Sequence, residues 1–422
     1  MMLKKTIRWI LFPSPAANID LKIFKYLMLD ASGIGITGSA APFLTVFLVL
    51  NGATNLQIGL LSSMPAIAGF LMVLFIGRLI QHHPKITRLA STGVLINNSA
   101  YLLTGLLPFF IKDTRALVSL ILSVWAAVTI SQTLTGVAYP TIIRKAAGEY
   151  GRYELTTRRW ALIGLITTLG TAIIGGILDS SRYPLNYQMV FMLLSLGGLL
   201  SFSSLQKINF PAEAEQPKAQ NIFFEFRHYF EEILSHKNFI HFVGKRFVHF
   251  LGATLAAPVI NLYYLREVGA SARWIGLFST VSMGALIIGY FFWLRTSRRL
   301  HSRKILILTI GMVSVYPFLL SFTESKWLII GMLLITGFFQ AGIDLVFFDE
   351  LMKIIPQANS AIFISVNMLF QYLASAIGPL LGTGLASVSN LRTALLIGAG
   401  MKFLAFVLFA LKVNVKKNLN ES

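Results

Sequence analysis

Ala40-Ala41-Pro42-Phe43-Leu44, followed eight residues later by Gly52-Ala53-Thr54-Asn55-Leu56-Gln57-Ile58-Gly59-Leu60-Leu61-Ser62-Ser63, is written twice in this chain. Ala256-Ala257-Pro258 repeats the first element at an offset of 216, and Gly269-Ala270 with Ile275-Gly276-Leu277 repeats the second at 217. An offset of about half of 422 residues is the mark of two homologous halves.

The sequence around the repeat is apolar. Hydrophobic residues make up 55% and charged residues 13% of the chain, where soluble domains carry about 25% charge; the mean hydropathy is +0.70. A chain of this composition resides in lipid, where one helical span takes about 20 apolar residues. Twelve apolar runs satisfy that length within the uncertainty of their ends: 24–49, 56–79, 89–111, 116–140, 159–178, 188–205, 239–265, 272–294, 304–322, 327–350, 360–386 and 392–411. The expected fold is an all-α integral membrane protein of twelve transmembrane helices in two pseudo-symmetric bundles of six.

The expected organisation is a first half over 1–205, a polar linker over 206–238, and a second half with a tail over 239–422. The linker carries Pro211, Glu213, Glu215, Pro217 and Lys218 before an amphipathic Phe/His/Glu stretch that reads as a surface helix. At the start of the chain, Lys4, Lys5 and Arg8 precede a short apolar run that reaches Pro13-Ser14-Pro15 without a small-residue cleavage pattern. That segment reads as a surface-lying amphipathic prelude and not as a secretory leader.

A net charge of +19 could signal nucleic acid, but the placement of the 36 Lys and Arg residues decides otherwise. If both termini are cytoplasmic, the outer loops hold only Lys112, Arg115, Arg182, Arg266, Arg273, Lys326 and Arg392. The inner segments hold nearly all the rest, including Arg144, Lys145, Arg152, Arg158 and Arg159 around the loop between runs 4 and 5. This asymmetry orients a multi-pass protein of the cytoplasmic membrane and makes anionic lipid, not nucleic acid, the partner of the charge. The chain has no cysteine, its seven histidines form no metal-ligand spacing, and no phosphate-binding Gly-x-x-x-x-Gly-Lys-Ser/Thr loop occurs. The sequence therefore points to no metal, no cofactor and no ATP.

Small residues recur every four positions at Gly164, Thr168, Ala172 and Gly176 in run 5, and at Ala374, Gly378, Gly382 and Ala386 in run 11, with a constant offset of 210. Both stripes read as close interhelical contacts.

Twelve spans in six-plus-six order, cytoplasmic termini, a central linker and a halfway repeat resemble the major facilitator superfamily, whose architecture is a known case of transporter repeats. The Gly-Ala-Thr/Ser-x-x-x-Ile-Gly-Leu signature opening runs 2 and 8 looks like a bacterial branch of it. Other family motifs are eroded. After run 2 the chain reads Gly77-Arg78-Leu79-Ile80-Gln81-His82-His83-Pro84-Lys85, with Gln81 where the family has Asp, and the copy over Leu294 to Lys304 also lacks an acid. Run 4 offers Thr129, Gln132 and Gly136 without the Arg of proton-linked exporters, and Gly378-Pro379-Leu380-Leu381-Gly382 resembles an antiporter signature but stands in run 11.

Ionisable groups inside a span cost several kcal/mol unless paired or hydrated, which makes each a candidate for the transport route. The resemblance implies a cavity lined by runs 1, 4, 7 and 10. Asp30 shares a face of run 1 with Gly33 and Thr37, and the repeat offset sets it opposite Arg246 in run 7. Gln340 and Asp344 share a face of run 10, with Gln132 at the position equivalent to Gln340. Asp30, Arg246 and Asp344 are expected to form a charged cluster that binds a polar group of the substrate or couples a proton; the competing reading is that Asp30 and Arg246 are interfacial. Tyr139, Asn261, Asn367 and Gln371 complete the substrate candidates. Arg78, Gln81 and Lys85, with Asp349 and Glu350, are candidates for a cytoplasmic gate, against the reading that they are solvated helix ends. Lys402 in run 12 and Asn97-Asn98 in run 3 read as packing or snorkelling.

The expected function is a secondary active transporter moving a small solute by alternating access, with a proton as the candidate coupling ion. A proton-independent facilitator is the alternative within transport. The alternative outside it is a receptor or enzyme that retains the fold without transport; no catalytic constellation supports an enzyme. The apolar lining suits amphipathic drugs, while Gln and Asn suit sugars or other polar metabolites equally well. The fold can work as a monomer.

Overall fold

A computed structural model describes residues 19–82, 85–180, 182–210, 233–297, 300–355 and 360–411. The N-terminal prelude, most of the linker with its expected surface helix, and the tail from 412 lie outside the described residues. Twelve described helices are long and apolar enough to cross a membrane. They are α1 Leu21–Leu50, α2 Asn55–His82, α3 Ile86–Phe110, α4 Thr114–Gly148, α5 Glu154–Ser180, α6 Leu185–Gln206, α7 Lys237–Arg266, α8 Ala272–Thr296, α9 Ser302–Leu320, α10 Lys326–Ile354, α11 Ser360–Val388 and α12 Leu391–Ala410. Each corresponds to one expected run.

Local chemistry sets the ends. The side chain of Asp20 caps α1 by accepting from the backbone N–H groups of Lys22 and Ile23 at 2.7 and 3.1 Å. Thr54 and Gln57 form a reciprocal capping box at the start of α2, at 2.8 and 3.3 Å. The repeated Gly52 and Gly269 both end a helix with positive φ, +83° and +58°, a conformation that side chains resist. Gly148 at φ +62° reverses the chain between α4 and α5 in the same way.

The two proline copies behave differently. α1 breaks at Ser39-Ala40, just before Pro42, whereas α7 runs unbroken through Pro258. Hydroxyls of α5 serve the carbonyls near the break: Thr167 donates to Gly35 O at 3.2 Å and Thr171 to Ser39 O at 3.4 Å.

The chain forms two compact units. The first comprises 1–214 and 264–283, the second 215–263 and 284–422. The division departs from the repeat boundary because the end of α7 and the first half of α8 pack into the first unit. Arg266 donates to Asn55 Oδ1 at 2.7 Å and to Ala53 O at 2.6 Å. Asp179 accepts from Ser271 Oγ at 2.5 Å and from the Arg273 N–H at 3.2 Å, so a carboxylate of α5 caps the first turn of α8. The first unit's inner core gathers Phe24, Leu27, Ile142, Leu155 and Leu205; the second's gathers Phe239, Trp293, Phe347 and Phe363.

The small-residue stripes also diverge. In α11 the contact falls where the spacing puts it: Gly378 and Gly382 press on Thr254 and Leu255 of α7, and Ala374 O accepts from Thr254 Oγ1 at 2.9 Å. In α5 it does not. A Cβ on Gly164 or Gly176 would meet nothing within 4 Å, while the backbone approach to α8 runs through Thr171 and Gly175, where a Cβ on Gly276 would lie 2.8 Å from Thr171 O. Period-four spacing marks two faces of a glycine-rich helix, and the partner selects one.

Candidate functional site

In the first unit the site is built around Asp30, which is completely buried in α1. The close approach of α1 and α6 comes from Gly33 and Gly197, where a Cβ on Gly197 would lie 2.6 Å from Gly33 O. One turn along each helix, that approach delivers Ser201 Oγ to Asp30 Oδ1. Tyr139 of α4 donates its hydroxyl to the same oxygen at 2.8 Å. Arg159 of α5 donates Nη2 to Asp30 Oδ2 at 2.5 Å and Nε to Leu27 O at 3.4 Å, with its guanidinium 4.6 Å from the centre of the Tyr139 ring. The carboxylate is thus held by three side chains from three helices, one of them a buried cation, which offsets the cost of burying charge in a span.

The second unit holds a looser arrangement. Arg246 of α7 donates to Asn367 Oδ1 of α11 at 3.1 Å and lies over the rings of Phe347 and Phe250 at 4.9 and 5.7 Å. Asp344 of α10 accepts from Gln340 Nε2 on its own helix and from the Tyr290 hydroxyl of α8, both at 2.9 Å. Among the described residues Arg246 and Asp344 form no salt bridge within 4.0 Å. A shallow cleft between α7 and α11 is lined by Val243, Arg246, Phe247, Phe250, Asn367, Phe370 and Gln371.

Within the first unit the partner of Asp30 is Arg159, which the charge pattern places among the basic residues around the loop between runs 4 and 5, yet it is the sixth residue of α5 and 5% exposed. Ser201 and Tyr290 carried no signal, since a lone Ser and a lone Tyr in apolar runs read as packing. Thr37 is buried and spends its hydroxyl on the Gly33 and Leu194 carbonyls at 3.2 and 3.1 Å, so it serves the α1–α6 contact. Gln132 is half-buried in α4, and Asn261 stands exposed on α7. Lys402 is only 8% exposed, its stem against Gly252 of α7, which replaces the snorkelling reading with burial.

Of the gate candidates, Lys85 is exposed at the start of α3, and the side chains of Arg78 and Gln81 lie outside the described residues. Asp349 and Glu350 pair with Lys353 of their own helix at 2.6 and 3.1 Å. Ser302, at the start of α9, bonds both Glu350 and Lys353. Hydrogen bonding to Asp349 raises the Lys353 pKa.

Twelve apolar helices carrying a sequence repeat define a multi-pass integral membrane protein. The sequence profile of the Major Facilitator Superfamily matches residues 246–422. Among solved structures, a mutant of the nucleoside transporter NupG is similar at TM-score 0.72 and 13% identity, covering 93% of this chain and 99% of that chain. The D-xylose-proton symporter follows at 0.68 and 14%, covering 92% and 95%. A bacterial homologue of the iron transporter ferroportin in an inward-facing state gives 0.69 and 16%, covering 92% and 97%. No curated protein sequence matches. The family profile thus matches the second half of the chain, and the solved transporters share its fold along nearly the whole length.

Proposed function

We propose that this protein is a secondary transporter that moves a small solute through the cytoplasmic membrane by alternating access, with Asp30 as the site that couples a proton to the cycle. The observation that carries this reading is the buried Asp30 carboxylate and its three donors. Ionised, it accepts from Tyr139, Arg159 and Ser201 and ties α1 to α4, α5 and α6. Protonated, it loses the charge that holds Arg159 and frees the link between α1 and α5. A proton on one oxygen therefore changes which helices are bound to one another, which is the physical requirement for coupling. The D-xylose-proton symporter among the similar structures is in keeping with this reading. Both termini belong in the cytoplasm, since that orientation puts most Lys and Arg on the side facing anionic lipid.

The test is solute counterflow and proton-gradient-driven uptake in proteoliposomes. The wild type is expected to give both for at least one solute of a broad panel. Asp30→Asn is expected to lose gradient-driven uptake while keeping counterflow. Absence of flux for every solute would overturn the transport reading; gradient-driven uptake by Asp30→Asn at the wild-type rate would overturn the role of Asp30.

A further inference from the structure

The two units hold their intramembrane arginines differently, Arg159 buried and Arg246 half-buried, and the difference bears on what is carried. In the first unit Arg159 has a carboxylate at 2.5 Å. In the second unit Arg246 has none: among the described residues its polar partner is the neutral amide of Asn367, and its Nε is buried without a hydrogen-bond partner. The one acid nearby, Asp344, has each oxygen engaged by another donor, Gln340 on Oδ1 and Tyr290 on Oδ2. Lys402 of α12, 8% exposed with its stem against Gly252 of α7, forms no salt bridge among the described residues. Arg246 is half-buried, feels Asp344 only from beyond salt-bridge distance and keeps an unpartnered Nε, so it can take one further anionic acceptor.

The cleft beside it shows how the rest of a ligand would be received. Gln371, one turn beyond Asn367 on α11, makes no side-chain hydrogen bond among the described residues and supplies a second amide. Phe247, Phe250 and Phe370 form an apolar wall, with the Phe247 and Phe370 rings 5.9 Å apart edge to face. From these observations we infer that the second unit binds a small organic carboxylate, its anionic head on Arg246 with the amides of Asn367 and Gln371 and its apolar body on the phenylalanines. A cationic ligand would meet Arg246, and a sugar would find too few polar partners among the rings. As a substrate assignment this rests on the transport reading; as a binding site it stands or falls separately.

The experiment is calorimetric titration of the purified protein in nanodiscs with hexanoate, benzoate and phenylacetate, and with 2-phenylethanol and phenethylamine as neutral and cationic counterparts of the last. At least one carboxylate is expected to bind at least tenfold more tightly than its counterparts. Arg246→Gln should weaken it at least tenfold, the loss of one charged hydrogen bond, and Arg246→Lys should recover part of that. Gln371→Leu, which leaves every charge in place, should weaken it several-fold and serves if Arg246→Gln does not fold. Failure of all three carboxylates to bind, equal binding by the amine, or binding indifferent to both Arg246→Gln and Gln371→Leu would overturn the inference. Carboxylate binding that depends on Arg246 without flux of any solute would keep the site and refute transport; flux of neutral or cationic solutes with no carboxylate binding would do the reverse.

Discussion

Arg159 Nη2 lies 2.5 Å from Asp30 Oδ2, with side chains 6% and 0% exposed, so neither charge can turn to water if the other is removed. Breaking one side of such a pair costs about 3–5 kcal/mol, because the survivor is left buried and uncompensated. Arg159→Ala is expected to destabilise the first unit by that amount, and Asp30→Asn combined with Arg159→Ala to recover most of it. Chemical denaturation of the two variants in detergent checks this. Equal losses in the single and double variants would mean that the pair is not the coupled unit described.

Lys353 supplies a pH-dependent contribution of known sign. Its hydrogen bond to Asp349 raises its pKa above the ordinary 10.5, so the stabilisation is fully present below pH 10.5 and is lost as pH rises through the higher folded-state value. With Lys353 and Asp349 about half exposed, at 53% and 54%, solvent screening limits it to about 1 kcal/mol or less. The stability difference between wild type and Lys353→Gln is expected to be constant from about pH 7 to 9 and to close above the ordinary lysine value. Thermal unfolding across that range measures it, and a difference that grows with pH would contradict the assignment.

The twelve spans were legible in the sequence because they rest on long averages, apolar runs of bilayer length. The site was legible only by residue class. Asp30, Arg246 and Asp344 stand out since any charge in a span does, but the partner of Asp30 could not be read from the repeat. Arg159 comes from α5, through a contact that depends on how helices of the first unit cross, and the positive-inside pattern hid it among loop charges. For Lys402 the sequence left packing and snorkelling open, and the absence of a side chain at Gly252, which makes room for its stem, selects packing.

The same limit separates the two glycine stripes, and substitution should expose it. Gly382 presses on the backbone of Leu255, so Gly382→Val is expected to cost at least about 1–3 kcal/mol through overpacking. Gly164 faces open space within 4 Å, so Gly164→Ala is expected to be neutral or to stabilise by up to about 1 kcal/mol through helix propensity. Thermal unfolding of the two variants decides the matter. Similar losses at both positions would restore the symmetric reading of the stripes.

Residues 264–283 are held in the first unit by two polar anchors, Arg266 on Asn55 and Ala53 and Asp179 on Ser271 and Arg273. Asp179 acts as the N-cap of α8, and removing a cap costs about 1 kcal/mol; the loss of Arg266 is expected to cost a similar amount. The anchors share no residue, so the effects should add to about 2 kcal/mol, close to a 30-fold increase in local opening. The chain has no cysteine, so a single Thr280→Cys substitution, at a position that otherwise donates to Thr168 O at 3.2 Å, gives maleimide one target. Its labelling rate is expected to rise about fivefold in Asp179→Ala and about 30-fold in Asp179→Ala combined with Arg266→Ala, following the opening equilibrium. A labelling rate unchanged by both substitutions would show that glycine packing at Gly175 and Gly276, and not the polar anchors, holds this segment.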